Sequence, residues 1–462
     1  MTQGRGRRVR RVTRVEVVGL FGHARHSVEF RSAEPTILLA PNRAGKTHIL
    51  RLTAAALSLD AQTLLETVYD ELSIEFSDGY CLTATRRVED RGPRVSMRAL
   101  LYGEQAGAGL SIAMEDLDTP QVLPPGIAKV GPGRWVNERT GMQLGAHDLK
   151  RRYGVEADAL AGRLKEAPQI EQLCGHPRPV FIDTWRLDAR ADDSRMLGDW
   201  GSPRGRSGAA AASRIRGYTE KLSGEITEAR RASVQATQSA DLSFAQRALE
   251  AADRTIKEAE LHKRYDDTVE RYEALARNGL AVGEAPIPFP ERTSPTVRRI
   301  LSVFLDDWDR RLEPLLPVNE KLQTLRDILD SKLAPSGKRT SISARGALEF
   351  HNVSGLRLPV SRLSSGEQHL VALFTLLLFA AKPGSLVLVD EPEISLHAAW
   401  KHAFLTDITR VAEVSNLQIV IATHSAGIVN GRWDLTEELV LSTDARLDDA
   451  DVDSLTDEDF DE

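Results

Sequence analysis

The sequence predicts an α/β fold interrupted by a helical, coiled-coil-like insertion, and three observations lead there. A short apolar run, Thr36 to Ala40, gives way through a glycine-containing turn to helical spacing from His48 to Leu57. Far along the chain, Leu386 to Asp390 and Gln418 to Thr423 are further apolar runs of strand length, such as occur in sheets covered on both faces. Between the two regions, apolar residues recur at helical spacing through long charged stretches.

Taken in order, Val12 to Phe30 alternates as two strands turning at Gly22-His23. Strands follow at Leu72 to Phe76 and Tyr80 to Arg86, joined by Ser77-Asp78-Gly79. Residues 103 to 145 are rich in Gly and Pro and read as loops around short elements. Pro179 to Asp183 is another buried strand, and Gly201 to Gly208 a Gly/Ser/Arg linker. Two helices are expected next, Ala209 to Thr237 and Ser243 to Asn278, broken near Ser239-Ala-Asp. Ile215, Tyr218, Leu222 and Ile226 mark the face of the first; Tyr265, Val269, Tyr272 and Leu275 mark that of the second. They predict an antiparallel arm on the order of 40–50 Å long at ~1.5 Å per residue. A third helical region spans Thr296 to Leu333, and Lys338 to Val360 alternates as a hairpin. The expected division is therefore residues 1–195 and 338–443 as two halves of one α/β domain. Residues 196–337 form the inserted arm, and 444–462 an acidic, disordered tail.

Composition sets bounds on function. Of 462 residues, 41% are hydrophobic and 27% charged, the balance of a soluble globular chain with a large core. Cys81 and Cys174 have no paired spacing, so neither a disulfide framework nor a zinc site is expected, and a reducing cytoplasm is the expected setting. The basic start (Arg5, Arg7, Arg8, Arg10, Arg11) leads into no apolar segment, which argues against a secretory signal. The longest apolar run, Leu370 to Ala381, falls short of the ~20 residues of a membrane span, so no membrane partner is expected. The N-terminal arginines read either as a solvated terminus or as a contact for nucleic acid.

Four motifs carry chemistry. The first, Ala40-Pro-Asn-Arg-Ala-Gly-Lys-Thr47, fits the Walker A pattern except that Ala40 replaces the usual first glycine. Its Asn42, Arg43, Ala44 and Gly45 offer backbone N–H groups to a phosphate. Lys46 is placed to reach the β- and γ-phosphates of ATP, and Thr47 to ligate Mg²⁺. The second is Leu363-Ser-Ser-Gly-Glu-Gln368 at a helix start, where Ser364, Ser365 and Gly366 present donors toward an anion. As an isolated hexapeptide it is an ordinary helix cap. The third ends a buried strand in Asp390-Glu391-Pro392; Asp390 is assigned to the metal through water and Glu391 to the general base. In isolation these are two acids after a core strand. The fourth is Thr423-His424-Ser425, in which His424 can hydrogen-bond a γ-phosphate, although a histidine there is more often structural.

Their order and spacing carry the argument, with the last three packed into residues 363–425. Together they resemble the ABC-type ATPases that include SMC, RecF-like and OLD-like proteins. Asp390-Glu-Pro-Glu-Ile-Ser-Leu-His397, Leu363 to His369, Ala422 to Ser425 and Asn430 to Leu435 are similar to the AAA_15 and AAA_21 ATPases, a group that includes ATPase subunits of antiphage defence systems such as PARIS or Septu. The resemblance covers about 1–195 and 338–443, and the helical middle in general character only. It implies an ABC-type P-loop NTPase fold and ATP held between two protomers. Ser364 and Gly366 of one would cap a γ-phosphate held by Lys46 of the other, and Ser395 and His397 would lie in the crossing loop.

Two residues depart from the family. Arg43 stands where a small residue is usual. Trp185 occupies the expected glutamine position of the Q-loop within Phe181 to Leu187, and indole cannot ligate Mg²⁺. Slow hydrolysis, or Asp183 or water in the glutamine's place, are the expectations left open. The resemblance implies a regulatory ATPase, a homodimer or larger homo-oligomer, controlling a separate nuclease-like effector in antiphage defence. The alternative is a RecF- or SMC-like ATPase of DNA repair or chromosomes. For it, Arg214, Arg216, Arg230 and Arg231 are candidate DNA contacts, diluted by Glu220, Glu225 and Glu228. A transporter subunit is the least supported of the three, given the inserted arm.

Overall fold

Strand Val12–Leu20 buries Val15, Val17 and Gly19 on the two-residue period of a sheet with one covered face, and register shifts near its two ends bury Val12 and Leu20 as well. The computed structural model describes residues 10–40, 44–113, 126–131, 134–137, 143–145, 163–174, 177–182, 207–251, 257–281, 283–394, 396–439 and 442–443. The chain divides into two units, one of Met1–Phe30, Leu38–His176 and Glu437–Glu462, the other of Arg31–Ile37 and Pro177–Thr436. The segments Gly201–Arg206 and Asp444–Glu462, read as linker and tail, lie outside the described residues.

The first unit is built on an antiparallel sheet. Its order is Ser442–Thr443, Ala24–Glu29, Val12–Leu20, Glu71–Phe76, Tyr80–Glu89, Gly92–Leu101, Glu104–Gln105, with Leu110–Ala113 also pairing on Gly92–Leu101. Gly92–Leu101 is a strand that the sequence reading did not anticipate. Its opening Asp90-Arg-Gly-Pro93 has loop composition, yet Pro93 sits near the strand start, where a missing N–H is tolerated. Beyond it Val95, Met97 and Ala99 are buried, while Arg94, Ser96 and Arg98 alternate with them. Within the Gly/Pro-rich stretch, Ile127–Gly131, Arg134–Asn137 and Gln143–Gly145 form a small sheet of their own. Helix Lys46–Ser58 buries Ile49, Leu50, Leu52 and Ala55 to Leu57. Against it, the Cys174 thiol donates to the Ala56 carbonyl at 3.3 Å, and burial pushes its pKa up to about 12. Such a thiol stays protonated and unreactive, and both cysteines are free.

The second unit holds a parallel sheet and most of the helices. Val180–Ile182 pairs in parallel with Leu386–Asp390, which pairs in parallel with Gln418–Thr423. Next in the order comes the strand beginning at Thr36. All residues of Leu386–Asp390 and Gln418–Thr423 are buried, as strands covered on both faces require. The chain therefore has the α/β character expected, and one of the buried parallel strands, Leu386–Asp390, ends in an acid.

The helices expected of the arm are divided differently. Ser207–Glu250 is a single helix that runs through Ser239-Ala-Asp without a break. That stretch contains neither Gly nor Pro. The Ser243 hydroxyl folds back onto the Ser239 carbonyl at 3.1 Å, and Arg247 donates to Ser243 Oγ at 3.0 Å while pairing with Asp307. Polar residues are not breakers in themselves: the Ser243 hydroxyl bonds back within the helix. The interruption comes later, before helix Glu258–Arg277. Helices Pro295–Leu312 and Leu316–Leu333 follow, joined by a 3-10 turn at Glu313–Leu315.

Leu261, Leu301 and Leu305 form a buried cluster beneath Tyr265, Phe289, Val297 and Phe304. Around it Arg264 bridges Asp306 at 2.9 Å and Asp309 at 2.8 Å. Half-exposed pairs of this kind add little individually, so the leucines carry the packing. Among the described residues, no helix is long and apolar enough to cross a membrane.

The second unit's hairpin, Lys338–Ile342 with Leu348–Asn352, is joined to helix Ser365–Thr375 by one carboxylate. Glu367 caps that helix by accepting from the Ser364 N–H at 2.7 Å. It also accepts from Lys338 Nζ at 2.7 Å and from the Ser336 hydroxyl at 2.8 Å. Burial pushes its carboxyl up, but the Lys338 ammonium with the Ser364 and Ser336 donors outweighs that and holds the pKa below the ordinary range. The helix then ends in a π-helical turn, Leu376–Ala380.

Two outcomes are expected. Leu305→Ala should cost about 2–5 kcal/mol of stability, read as a lowered denaturant midpoint; an unchanged midpoint would show that the leucine cluster does not hold the helices. The depressed Glu367 pKa gives stability that is present above the unfolded glutamate value of about 4.3 and lost as pH falls through the folded value. The thermal midpoint of the parent should therefore exceed that of Glu367→Gln at pH 7, and the gap should shrink below about pH 4. A gap independent of pH would remove the ion pair as its cause.

Candidate nucleotide site

Strand Thr36–Leu39 delivers Ala40, and Ala44 is the next described residue. Gly45 lies at φ 87°, ψ 5°, a left-handed conformation that glycine adopts freely. A side chain there would also approach Leu20 Cδ2 to 2.8 Å, so the position is closed to larger residues. The helix starts at once with Lys46 and Thr47, and its first turn contains no acid to compete for an anion. Lys46 is buried, and its ammonium donates to the Ala40 carbonyl at 2.5 Å, folding the side chain over the loop. Thr47 is half-buried. Asn42 and Arg43 lie outside the described residues.

Two side chains that the sequence reading passed over flank this loop. Phe21, in the turn after Val12–Leu20, has φ 57° and packs edge-on to His48 with ring centroids 4.8 Å apart, yet remains 44% exposed. His26 lies buried beneath Gly45 with neither ring nitrogen hydrogen-bonded, and burial lowers its pKa, favouring the neutral ring. An aromatic residue in a three-residue hairpin turn next to a glycine was the available signal for Phe21. Nothing in the alternation of Ala24–Glu29 distinguishes His26.

In the second unit, Ser364 and Ser365 are exposed and Gly366 half-buried at the start of helix Ser365–Thr375. Ser364 Oγ accepts from the Glu367 N–H at 3.3 Å, and the reciprocal bond from Ser364 N–H to Glu367 completes a capping box. The serine hydroxyl uses a lone pair in the cap, which leaves its own O–H to donate outward.

The acidic strand end and the histidine strand come together. Their register sets Asp390 opposite Ala422, so both strands release their next residues at the same edge. Asp390 is buried. Glu391 has φ 45°, rare for a residue with a Cβ, and its N–H is held by the Ala422 carbonyl at 2.7 Å. Glu393, in the 3-10 turn Pro392–Ile394, reaches back across the edge. It accepts from the Thr423 hydroxyl at 2.6 Å and from the His424 N–H at 3.1 Å. His424 Nδ1 lies 3.2 Å from Glu393 and 3.6 Å from Glu391. Glu391 and His424, assigned separately from the sequence, are thus neighbours. Glu393 was quoted in the sequence motif without a role, because its partners are 30 residues away.

His397 is exposed, caps helix Ala398–Ser415 by accepting from Ala399 N–H at 3.3 Å, and packs on Trp400. Ser395, Asp183 and Trp185 lie outside the described residues.

The first unit offers a cationic helix start able to neutralise a phosphate, and the second an edge where carboxylates stand beside an imidazole, groups able to move a proton. The left-handed glycine and acid-free helix start fit a nucleotide's phosphates. A threonine hydroxyl and a buried aspartate are oxygen donors of the kind Mg²⁺ takes beside phosphate and water. Among the described residues, no group of three or more His, Cys, Asp and Glu side chains is arranged to hold a metal ion.

Solved structures similar to this chain include an Smc head domain with an extended coiled coil, bound to the C-terminal domain of ScpA from Pyrococcus furiosus. That pair shares 15% identity over 91% of each chain, with a TM-score of 0.33. The SMC head domain from Thermotoga maritima shares 11% identity over 92% of each chain, with a TM-score of 0.30. No curated protein matches the chain. Residues 211–430, less than half of the chain, match the family model described as "AAA domain, putative AbiEii toxin, Type IV TA system", a span that takes in the serine-glycine, acidic and histidine motifs but not the phosphate loop.

Proposed function

We propose that the chain binds ATP with Mg²⁺ and hydrolyses it. The observation that carries this reading is the turn at Gly45, which places Lys46 at the first position of an acid-free helix start directly after a buried strand. In this reading Lys46 neutralises the β- and γ-phosphates, and Asn42, Arg43, Ala44 and Gly45 complete the cradle with their backbone. Thr47 holds Mg²⁺ directly and Asp390 through water; the ion's part is to neutralise phosphate oxygens. Glu391 takes the proton of the attacking water, and His424 meets the γ-phosphate. The exposed face of Phe21 suits stacking on a base.

The wider reading is a regulatory ATPase. Ser364, Ser365 and Gly366 stand at an exposed helix start, which supports capping of a nucleotide on a second copy of the chain. The output is a separate, nuclease-like effector in bacterial antiphage defence in the cytoplasm. It is supported by the motif set and by the toxin-system wording of the matching model. A DNA-clamping role is equally compatible with the fold; of its candidate arginines Arg216 is exposed, while two others are engaged. Arg230 is engaged by the Ala344 and Gly279 carbonyls at 2.7 and 2.6 Å, and Arg231 pairs with Glu228.

Glu391→Gln should keep ATP binding, lose about 100-fold or more in turnover, and accumulate as a nucleotide-bound dimer on size exclusion. Lys46→Ala should weaken ATP binding by about tenfold or more, measured by equilibrium titration. Turnover by Glu391→Gln at the parental rate would rule out that residue as the base.

A further inference from the structure

Glu393 is 4% exposed, and its two oxygens have different surroundings. Oε1 takes the Thr423 hydroxyl at 2.6 Å and the His424 main-chain N–H at 3.1 Å, and His424 Nδ1 stands 3.2 Å away. Oε2 is buried with no hydrogen-bond partner. An oxygen surrounded by donors is an acceptor, and a buried carboxylate with one bare oxygen is costly unless a cation lies beside it.

The His424 ring is the group placed to answer that cost. Its Nδ1 lies 3.2 and 3.6 Å from oxygens of Glu393 and Glu391. A lone pair on Nδ1 would oppose the lone pairs of both carboxylates, whereas a proton there would be attracted to them. Nε2 is then the nitrogen that the half-exposed ring turns outward. In a neutral ring of this tautomer Nε2 is an acceptor, and it would repel a phosphoryl oxygen. Contact with a phosphate therefore needs the doubly protonated ring.

We infer that Glu393 is a positioning residue for His424: its buried carboxylate fixes the proton on Nδ1 and supplies the counter-charge that lets Nε2 donate to a phosphoryl oxygen. The second proton comes from solvent. Glu391 is less suited to this task. It is farther from Nδ1, more exposed, and committed to the attacking water. The inference rests on the reading of this edge as an ATPase site and assigns a role to a residue which that reading leaves unused.

Glu393→Gln tests it, since the amide keeps an acceptor for Thr423 and the His424 N–H but removes the charge. Imidazole ¹⁵N spectra of histidine-labelled protein, with His424→Gln to identify the signal, report the ring directly. The parent should show His424 protonated on Nδ1, and Glu393→Gln should shift that population toward the other tautomer. In turnover, kcat should fall by about 10–100-fold, with the KM for ATP changed by less than about twofold. Parental ring signals in Glu393→Gln, a parental kcat, or a parent ring bare of a proton at Nδ1 would each overturn the assignment. A parent that fails to bind ATP would instead defeat the reading of the site. The ring spectra would still decide whether Glu393 sets the tautomer.

Discussion

The parallel register between Leu386–Asp390 and Gln418–Thr423 is the constraint on which the candidate site of the second unit depends. Parallel strands end at one edge, so whatever follows Asp390 and Thr423 in the sequence must emerge side by side. A two-residue slip would carry Asp390 into the buried sheet or lift it clear of His424. Glu393 then fastens the two exits with bonds to Thr423 and His424 that only this register permits.

Much of this was legible in the residues. Short apolar runs ending in acids or in Thr-His named the strands, and the Gly-Lys-Thr turn named the phosphate loop, because these signals lie within a few neighbouring positions. Two elements escaped the reading for local reasons. Ser239-Ala-Asp reads as a helix break, yet the helix Ser207–Glu250 runs through it, with the Ser243 hydroxyl turned back onto the Ser239 carbonyl. Gly92–Leu101 has no assignment from the sequence, and its pairing with Tyr80–Glu89 was needed to reveal it. The roles of Glu393 and His26 were invisible for another reason. Each depends on what stands opposite in space, and no pattern along the chain encodes it.

Glu367 illustrates a residue with two duties. It is the acid of the capping box that starts helix Ser365–Thr375. The same carboxylate also collects Lys338 and Ser336, which sit where the last arm helix gives way to the hairpin. The helix start that presents Ser364 is thereby anchored to the end of the insertion, so its orientation is not left to the cap alone.

The bond from Lys46 to the Ala40 carbonyl bears on selectivity. A visiting anion has to compete with an acceptor that the lysine already possesses. Singly charged or poorly shaped guests gain little from that exchange, whereas a polyphosphate, bringing several negative oxygens at once, gains much. The cradle is in this sense self-quenched, discounting every visitor by the same amount and leaving a surplus only to the most highly charged.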